Sequence, residues 1–424
     1  MYKIREYKNS VKLITKKMQG VSSVSLGFWF DTGSRNESPQ INGISHFLEH
    51  LVFKGSKHYS GDKIKESIEG VGGSLNAFTS EENTCYYAKF LGKHFHNVFR
   101  VLSDMVLLPL LKAKDIEKER GVIIEEIKMY KDLPQYQVQE LFDELLWPGH
   151  PLGRNIAGSI DSVSGISPAR IRDYHAQWYS PANLVVSCAG DLNENDLQKN
   201  MERVFGPLKF SSAQPIIPFV SRRTTPTIKI ISKDIEQTHV HLGFPSFHRS
   251  HKDRFVLSVL HVVLGGNMSS RLFNEVREKK GLAYEIASHV KKLKDTGVFF
   301  VHAGIDNRNL VQAARVIFKE LDTLRRLRVS AGELRRAKDF LIAQTEMALD
   351  DTMEHMLWMG DGLLNCGLIE TKEELRRHIE RITSADCLRV ARDVIRWPQL
   401  HFAAVGPQSH VHEKKIRDLV SRLA

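Results

Sequence analysis

A chain of 424 residues with 42% hydrophobic and 26% charged side chains is ordinary globular material, long enough for two to four domains and too apolar to be disordered throughout. The net charge of +10 arises from Lys and Arg interleaved with Asp and Glu, and the densest basic stretches, 325–328 with 335–338 and 376–381, have acidic neighbours. Solvated helix faces are therefore expected there, not a nucleic-acid groove. No window of 18 apolar residues exists and residues 1–18 lack a signal-type apolar core, so no membrane span and a cytoplasmic location are expected.

Residues 11–17 and 21–30 alternate apolar and polar side chains and are read as an early strand pair. An apolar helix follows at 43–52, then a strand at 74–90, helical segments, and a closing strand from Leu184 to Ala189-Gly190. Cys188 lies in that apolar run, as a buried free thiol would. None of Cys85, Cys188, Cys366 and Cys387 forms a CxxC pair, so a disulfide scaffold is not expected. Residues 206–226 hold Pro207, Pro215, Pro218 and Pro226 with Ser211 and Ser212, the composition of an extended linker. The pattern then restarts: strands at 227–232 and 238–244, a helix at 254–264, a strand at 283–305, helical segments and a closing strand to Val405-Gly406.

The restart is a duplication. Leu26-Gly27-Phe28 recurs as Leu242-Gly243-Phe244, Ile166-Ser167-Pro168-Ala169 resembles Ile382-Thr383-Ser384-Ala385, and the two closing strands correspond, all at an offset of 216 residues. Three matches at one offset and in one order argue for two copies of one unit, at 1–210 and 225–424. Each copy is expected to be α+β, with helices packed against a mostly antiparallel sheet.

The strongest chemical signal is His46-Phe47-Leu48-Glu49-His50, with Ser45 placed to cap the helix or to sit near its start. Residues four apart share a helix face, so His46 and His50 can offer imidazole nitrogens to one ion. Glu49 projects beside that ion, where a general base for an attacking water belongs. A third ligand is needed. Glu119 and Glu126, two helical turns apart, offer carboxylates on one face, flanked by Val122 and Ile123, whereas Glu125 reads as a solvated acid. Shifting by 216 places Val262, Gly265, Gly266, Arg335 and Ile342 at the positions of His46, Glu49, His50, Glu119 and Glu126. One copy carries metal-type side chains and the other does not.

On these residues the chain resembles the pitrilysin-type metallopeptidases, the zincins with an inverted H-x-x-E-H motif, and within them the bacterial and mitochondrial processing-peptidase branch. The resemblance spans nearly the whole chain and implies two tandem homologous domains in a LuxS/metallopeptidase-like duplication. It implies one Zn2+ per chain held by His46, His50 and Glu126, with Glu49 as catalytic base and Glu119 as a supporting catalytic acid. Residues 72–80, with Glu82 and Tyr86-Tyr87, look like the family's substrate strand. Asn76, Ala77 and Phe78, with Phe53, would then bind an extended peptide by β-augmentation, and Gly72 and Gly73 would permit close approach. Arg277 and Tyr284 resemble the family's Arg/Tyr pair, which reaches substrate and oxyanion.

Single-chain members of that family have four such domains, with zinc in the first and the Arg/Tyr pair in the fourth. A two-domain chain is therefore expected to pair with a second copy or a paralogue, each completing the other's site. The implied activity is zinc-dependent hydrolysis of unstructured peptides or leader segments. The alternative is a noncatalytic scaffold or partner subunit of the same fold; such relatives usually lose motif residues that this chain keeps. No basic-aromatic motif supports a nucleic-acid partner.

Overall fold

The computed structural model describes residues 2–210, 212, 215–220, 225–407 and 410–423. The chain divides into two compact units. Unit 1 is Met1–Lys128, Arg154–Ile217 and Met347–Ile369; unit 2 is Met129–Gly153, Pro218–Glu346 and Glu370–Ala424. Each is α+β.

Unit 1 is built on a six-stranded sheet of β1 (Lys3–Glu6), β2 (Lys12–Lys17), β3 (Ser23–Phe30), β4 (Ser74–Thr79), β5 (Thr84–Leu91) and β6 (Leu184–Gly190), in the order β1-β2-β6-β3-β5-β4. Unit 2 carries β7 (Thr227–Ser232), β8 (Gln237–Ser246), β9 (Ala283–Lys292), β10 (Gly297–Asp306) and β11 (His401–Gly406), in the order β7-β11-β8-β10-β9. The closing strand β6 runs parallel to β2 and antiparallel to β3, and β11 likewise runs parallel to β7 and antiparallel to β8. This shared and uncommon insertion is the structural form of the duplication.

It also corrects two strand expectations. The early strands β2 and β3 do not pair with each other, because β6 lies between them. The strand expected at 74–90 is a hairpin, β4 and β5, turned at Ser80–Asn83, where Ser80 accepts from the backbone of Asn83 and Glu82. The run 283–305 is likewise the hairpin β9–β10. Each run contains a polar break, Ser80-Glu81-Glu82-Asn83 in one and Lys294-Asp295-Thr296 in the other, and the chain turns there.

Alternation explains how β3 serves two cores. Val24, Leu26, Phe28 and Phe30 face one side and pack with the helices at Ile44–Val52 and Phe95–Leu107. Trp29 faces the other, with Ile14, Val185 and Ala189. A single-sided sheet would leave that second face wet. Instead the helix Thr352–Cys366 covers it through Met356, Met359 and Leu363. Unit 2 has the reciprocal arrangement: the helix Pro134–Leu146 packs Val138 and Phe142 against Val298, Ala403 and Val405. The compact units therefore differ from the contiguous halves 1–210 and 225–424, since each sheet takes a covering helix from the other half of the sequence. Pattern matching along the chain cannot see that exchange.

Gly27 and Gly360 make the close fit possible. A Cβ on Gly360 would stand 2.0 Å from Trp29 Nε1, and one on Gly27 would stand 2.3 Å from Met356 Sδ. Gly360→Ala should therefore destabilise the chain by roughly 1–3 kcal/mol through overpacking. Gly121→Ala, on an open helix face with nothing within 4 Å, should be neutral or slightly stabilising. Denaturant midpoints of the two variants check this contrast.

Other expectations fall into place here. Cys85, Cys188 and Cys387 are buried free thiols and Cys366 is a half-buried one. The basic stretches lie on helices or, as with Arg328, just past a helix end, and are partly paired, as Arg326 with Asp322 at 2.7 Å and Arg376 with Glu346. Among the described residues, no helix is long and apolar enough to cross a membrane. Ser211 of the proline-rich linker lies outside the described residues; Leu208–Phe210, Ser212, residues 215–220 and Pro226 form neither helix nor strand.

Candidate metal centre

The helix Ile44–Val52 is almost entirely buried. Ile44, Phe47, Leu48, Leu51 and Val52 fill the core, which leaves His46, Glu49 and His50 as the partly open strip. Three and four residues apart, they follow one helix face. Ser45 sits near the helix start, one of the two expected placements, and does not cap it. The N-cap is Gly43, in the left-handed region at φ 95°, where a Cβ would stand 2.5 Å from Ala157 O.

The capping side chain comes from Glu37, which sequence reasoning missed. Its carboxylate accepts from the Gly43 and Ser45 N–H groups at 2.7 and 2.9 Å, and from the Asn42 amide at 2.9 Å. Burial pushes the Glu37 carboxyl above the usual range, and these donors oppose the shift. A carboxylate at a helix N-terminus also complements the helix dipole. Nothing in the local spacing marks it, because it reaches back across an irregular loop. Ser45 is inside the helix, its hydroxyl 2.8 Å from Tyr174 OH.

The second wall is the helix Ala113–Asp132. Its buried face reads Ile116, Glu119, Ile123, Ile127, a helical repeat that brings Glu126 to the same side. Val122 lies between Glu119 and Glu126 on the helix and is exposed, whereas Ile123 is buried. Glu119, with 4% of its side chain exposed, lies 3.3 Å from His50 Nδ1 and 2.7 Å from Lys54 Nζ. A carboxylate so enclosed needs such partners.

Glu126 Oε2 lies 3.9 Å from His46 Nε2 and 3.7 Å from His50 Nε2. Among the described residues, His46, His50 and Glu126 form the one group of this kind, with ligand atoms all within 4.8 Å of one another. The separations are too long for hydrogen bonds. They suit atoms held about 2.0–2.2 Å from one ion, and His₂Glu is a known catalytic zinc set. Burial, with His50 second, lowers His46 to about 4, so its imidazole is neutral and available as a ligand at neutral pH. Its Nδ1 is buried without a partner among the described residues. The residues fit the metal.

Glu49 lies beside this group and outside it. Its Oε2 accepts from the Thr79 hydroxyl at 2.5 Å. Burial raises its carboxyl above the usual range, opposed by Thr79 and His50. Its surroundings are weakly polar: the buried Cys85 thiol and Tyr86 ring feel its charge.

The edge strand β4 borders the site. Its outer side has no neighbour among the described strands. Asn76 is exposed and its side chain accepts from Ala77 N at 2.8 Å. Ala77 packs on the core that includes the motif helix, while Phe78 points to the opposite face against Trp29. Phe53, at the C-cap of the motif helix, packs toward Tyr86. Glu82 is structural: it pairs with Arg35 at 2.6 Å, both buried. Gly72 sits in the left-handed region at φ 78° and serves the turn into β4.

Unit 2 has closed the corresponding strip. In the helix Arg254–Gly265, Val262 is buried, and a Cβ on Gly265 would stand 2.5 Å from Ser288 N. Arg277 and Tyr284 do come together in this unit: the guanidinium lies 5.4 Å from the Tyr284 ring centre, and Tyr284 is 76% exposed.

Comparison with known proteins places this geometry. Residues 12–159 match the family model described as insulinase (peptidase family M16), and residues 165–341 match the peptidase M16 inactive domain. An uncharacterized zinc protease of Streptomyces coelicolor is 36% identical over 97% of this chain and 91% of its own length. One from Bacillus subtilis is 35% identical over 88% of this chain and 91% of its own. A protease from Helicobacter pylori has the same fold, with a TM-score of 0.91 at 24% identity over 96% of this chain and 99% of that one.

Proposed function

We propose that this chain, which belongs to the M16 (insulinase-type) peptidase family, is a zinc-dependent endopeptidase acting on unstructured peptides or leader segments. The observation that carries the reading is the juxtaposition of His46, His50 and Glu126 with a separate half-buried carboxylate, Glu49.

In this reading His46, His50 and Glu126 hold one zinc ion. When bound, zinc supplies a Lewis acid and eases deprotonation of the attacking water. Glu119 fixes the His50 ring through Nδ1 and is itself fixed by Lys54. Glu49, its carboxyl held above the usual range by burial, takes the proton from water and returns it to the leaving amine. The peptide lies along the free edge of β4, past Asn76, Ala77 and Phe78 with Phe53 nearby, held by backbone hydrogen bonds that demand little of its sequence. Arg277 and Tyr284 supply donors to the developing oxyanion from a partner subunit, a second copy or a paralogue.

The inactive-domain match falls on residues 165–341, outside the ligand set, and agrees with a second unit whose equivalent strip is closed. A wholly noncatalytic scaffold gains no support from it. Mass spectrometry of a digest of unstructured 10–40-residue peptides tests the reading. Internal cuts with paired fragments are expected; stepwise trimming from one terminus would contradict endopeptidase action.

A further inference from the structure

We propose that Thr79 is a positioning residue: its hydroxyl anchors one oxygen of Glu49 and leaves the other to handle the proton. The inference rests on the peptidase reading above and deepens it.

Glu49 stands on the motif helix and Thr79 at the end of β4, so their 2.5 Å hydrogen bond joins two separate elements. The direction of that bond is set by its acceptor, since an ionised carboxylate only accepts. Thr79 pairs in register with Thr84, and the two hydroxyl oxygens are 3.4 Å apart. Thr84 donates its own hydrogen to Thr32 O at 3.0 Å. Thr84 can then only accept from Thr79, at 3.4 Å, and the carboxylate of Glu49, which only accepts and lies at 2.5 Å, takes the Thr79 hydrogen in preference. A glutamate has three rotatable side-chain bonds, and a single strong donor to a carboxylate is enough to select one arrangement.

The placement has a consequence for substrate. β4 is the sheet's edge strand, and the side away from β5 has no partner strand among the described residues. A peptide added there takes its register from the same strand that carries Thr79. One strand then aligns both the scissile bond and the base that serves it. Reacting groups displaced by about 1 Å can lose about a hundredfold in rate.

Thr79→Val keeps the β-branched shape and removes the donor; Thr79→Ser keeps the donor. With zinc content measured in each, T79V should lower kcat by about tenfold to a hundredfold, with KM and bound zinc unchanged. T79S should keep kcat near the parent value. A T79V enzyme with parental kcat, or a T79S enzyme as impaired as T79V, would overturn the proposal. If the zinc-loaded parent cleaves nothing, alone or with a paralogue supplying the Arg/Tyr pair, the peptidase reading fails. Zinc-loaded crystal structures then decide this proposal separately: Glu49 displaced in T79V and held in T79S supports it, and Glu49 unmoved in T79V refutes it.

Discussion

Glu49→Gln should lower kcat by about a thousandfold or more while leaving one zinc per chain in place. General-base catalysis contributes on the order of 10²–10⁴ in rate, and no other carboxylate takes Glu49's place beside the histidines. Glu119 and Glu126 already face them and Lys54. Glu49 is not part of the His46, His50, Glu126 group, so its amide analogue should not change metal content. The substitution is also gentle structurally. The amide oxygen can still accept from Thr79, and burial already disfavours the ionised acid at this position. Metal analysis with steady-state kinetics checks both halves. Parallel loss of zinc and activity would reassign Glu49 as a ligand.

Glu126→Gln should do the opposite, removing metal and activity together. It leaves two imidazoles and a neutral amide where the ion needs a carboxylate. Outer residues around metal ligands are worth about 10–100-fold in affinity, so loss of a ligand itself should exceed about a hundredfold. The neighbouring residue is the internal control. Glu125 is exposed and pairs with Lys128 at 2.7 Å, on the side of the helix away from the histidines. Glu125→Gln should therefore leave zinc affinity and turnover unchanged. Competition against a chromophoric chelator measures the difference. Equal effects of the two substitutions would refute the assignment of Glu126.

The metal-type residues were legible because helices convert sequence spacing into geometry. His46 and His50 at i and i+4, and Glu119 and Glu126 two turns apart, need only a straight helix to share a face, and both helices are straight enough. The duplication was legible because strands repeat at a fixed offset. What stayed hidden depends on tertiary closure. Glu37 caps the motif helix from six to eight residues upstream across a loop. Thr79 reaches Glu49 only after the β4–β5 turn brings the edge strand beside the helix. The insertion of β6 between β2 and β3, and of β11 between β7 and β8, joins segments far apart in the chain, as Lys12 with Val185 and Thr227 with His401. The covering helices Thr352–Cys366 and Pro134–Leu146 obey the same limit: their apolar faces announce burial and say nothing of which sheet receives them. Sequence alone likewise gave no sign that Gly360 is matched to Trp29.

The most direct test of the account is peptide cleavage by the purified protein through a cycle of chelation and zinc return. Cleavage should vanish when the metal is removed and reappear with about one zinc per chain. Cleavage that persists in fully metal-depleted protein would contradict the central claim, as would a protein that takes up no zinc at the His46, His50 and Glu126 site.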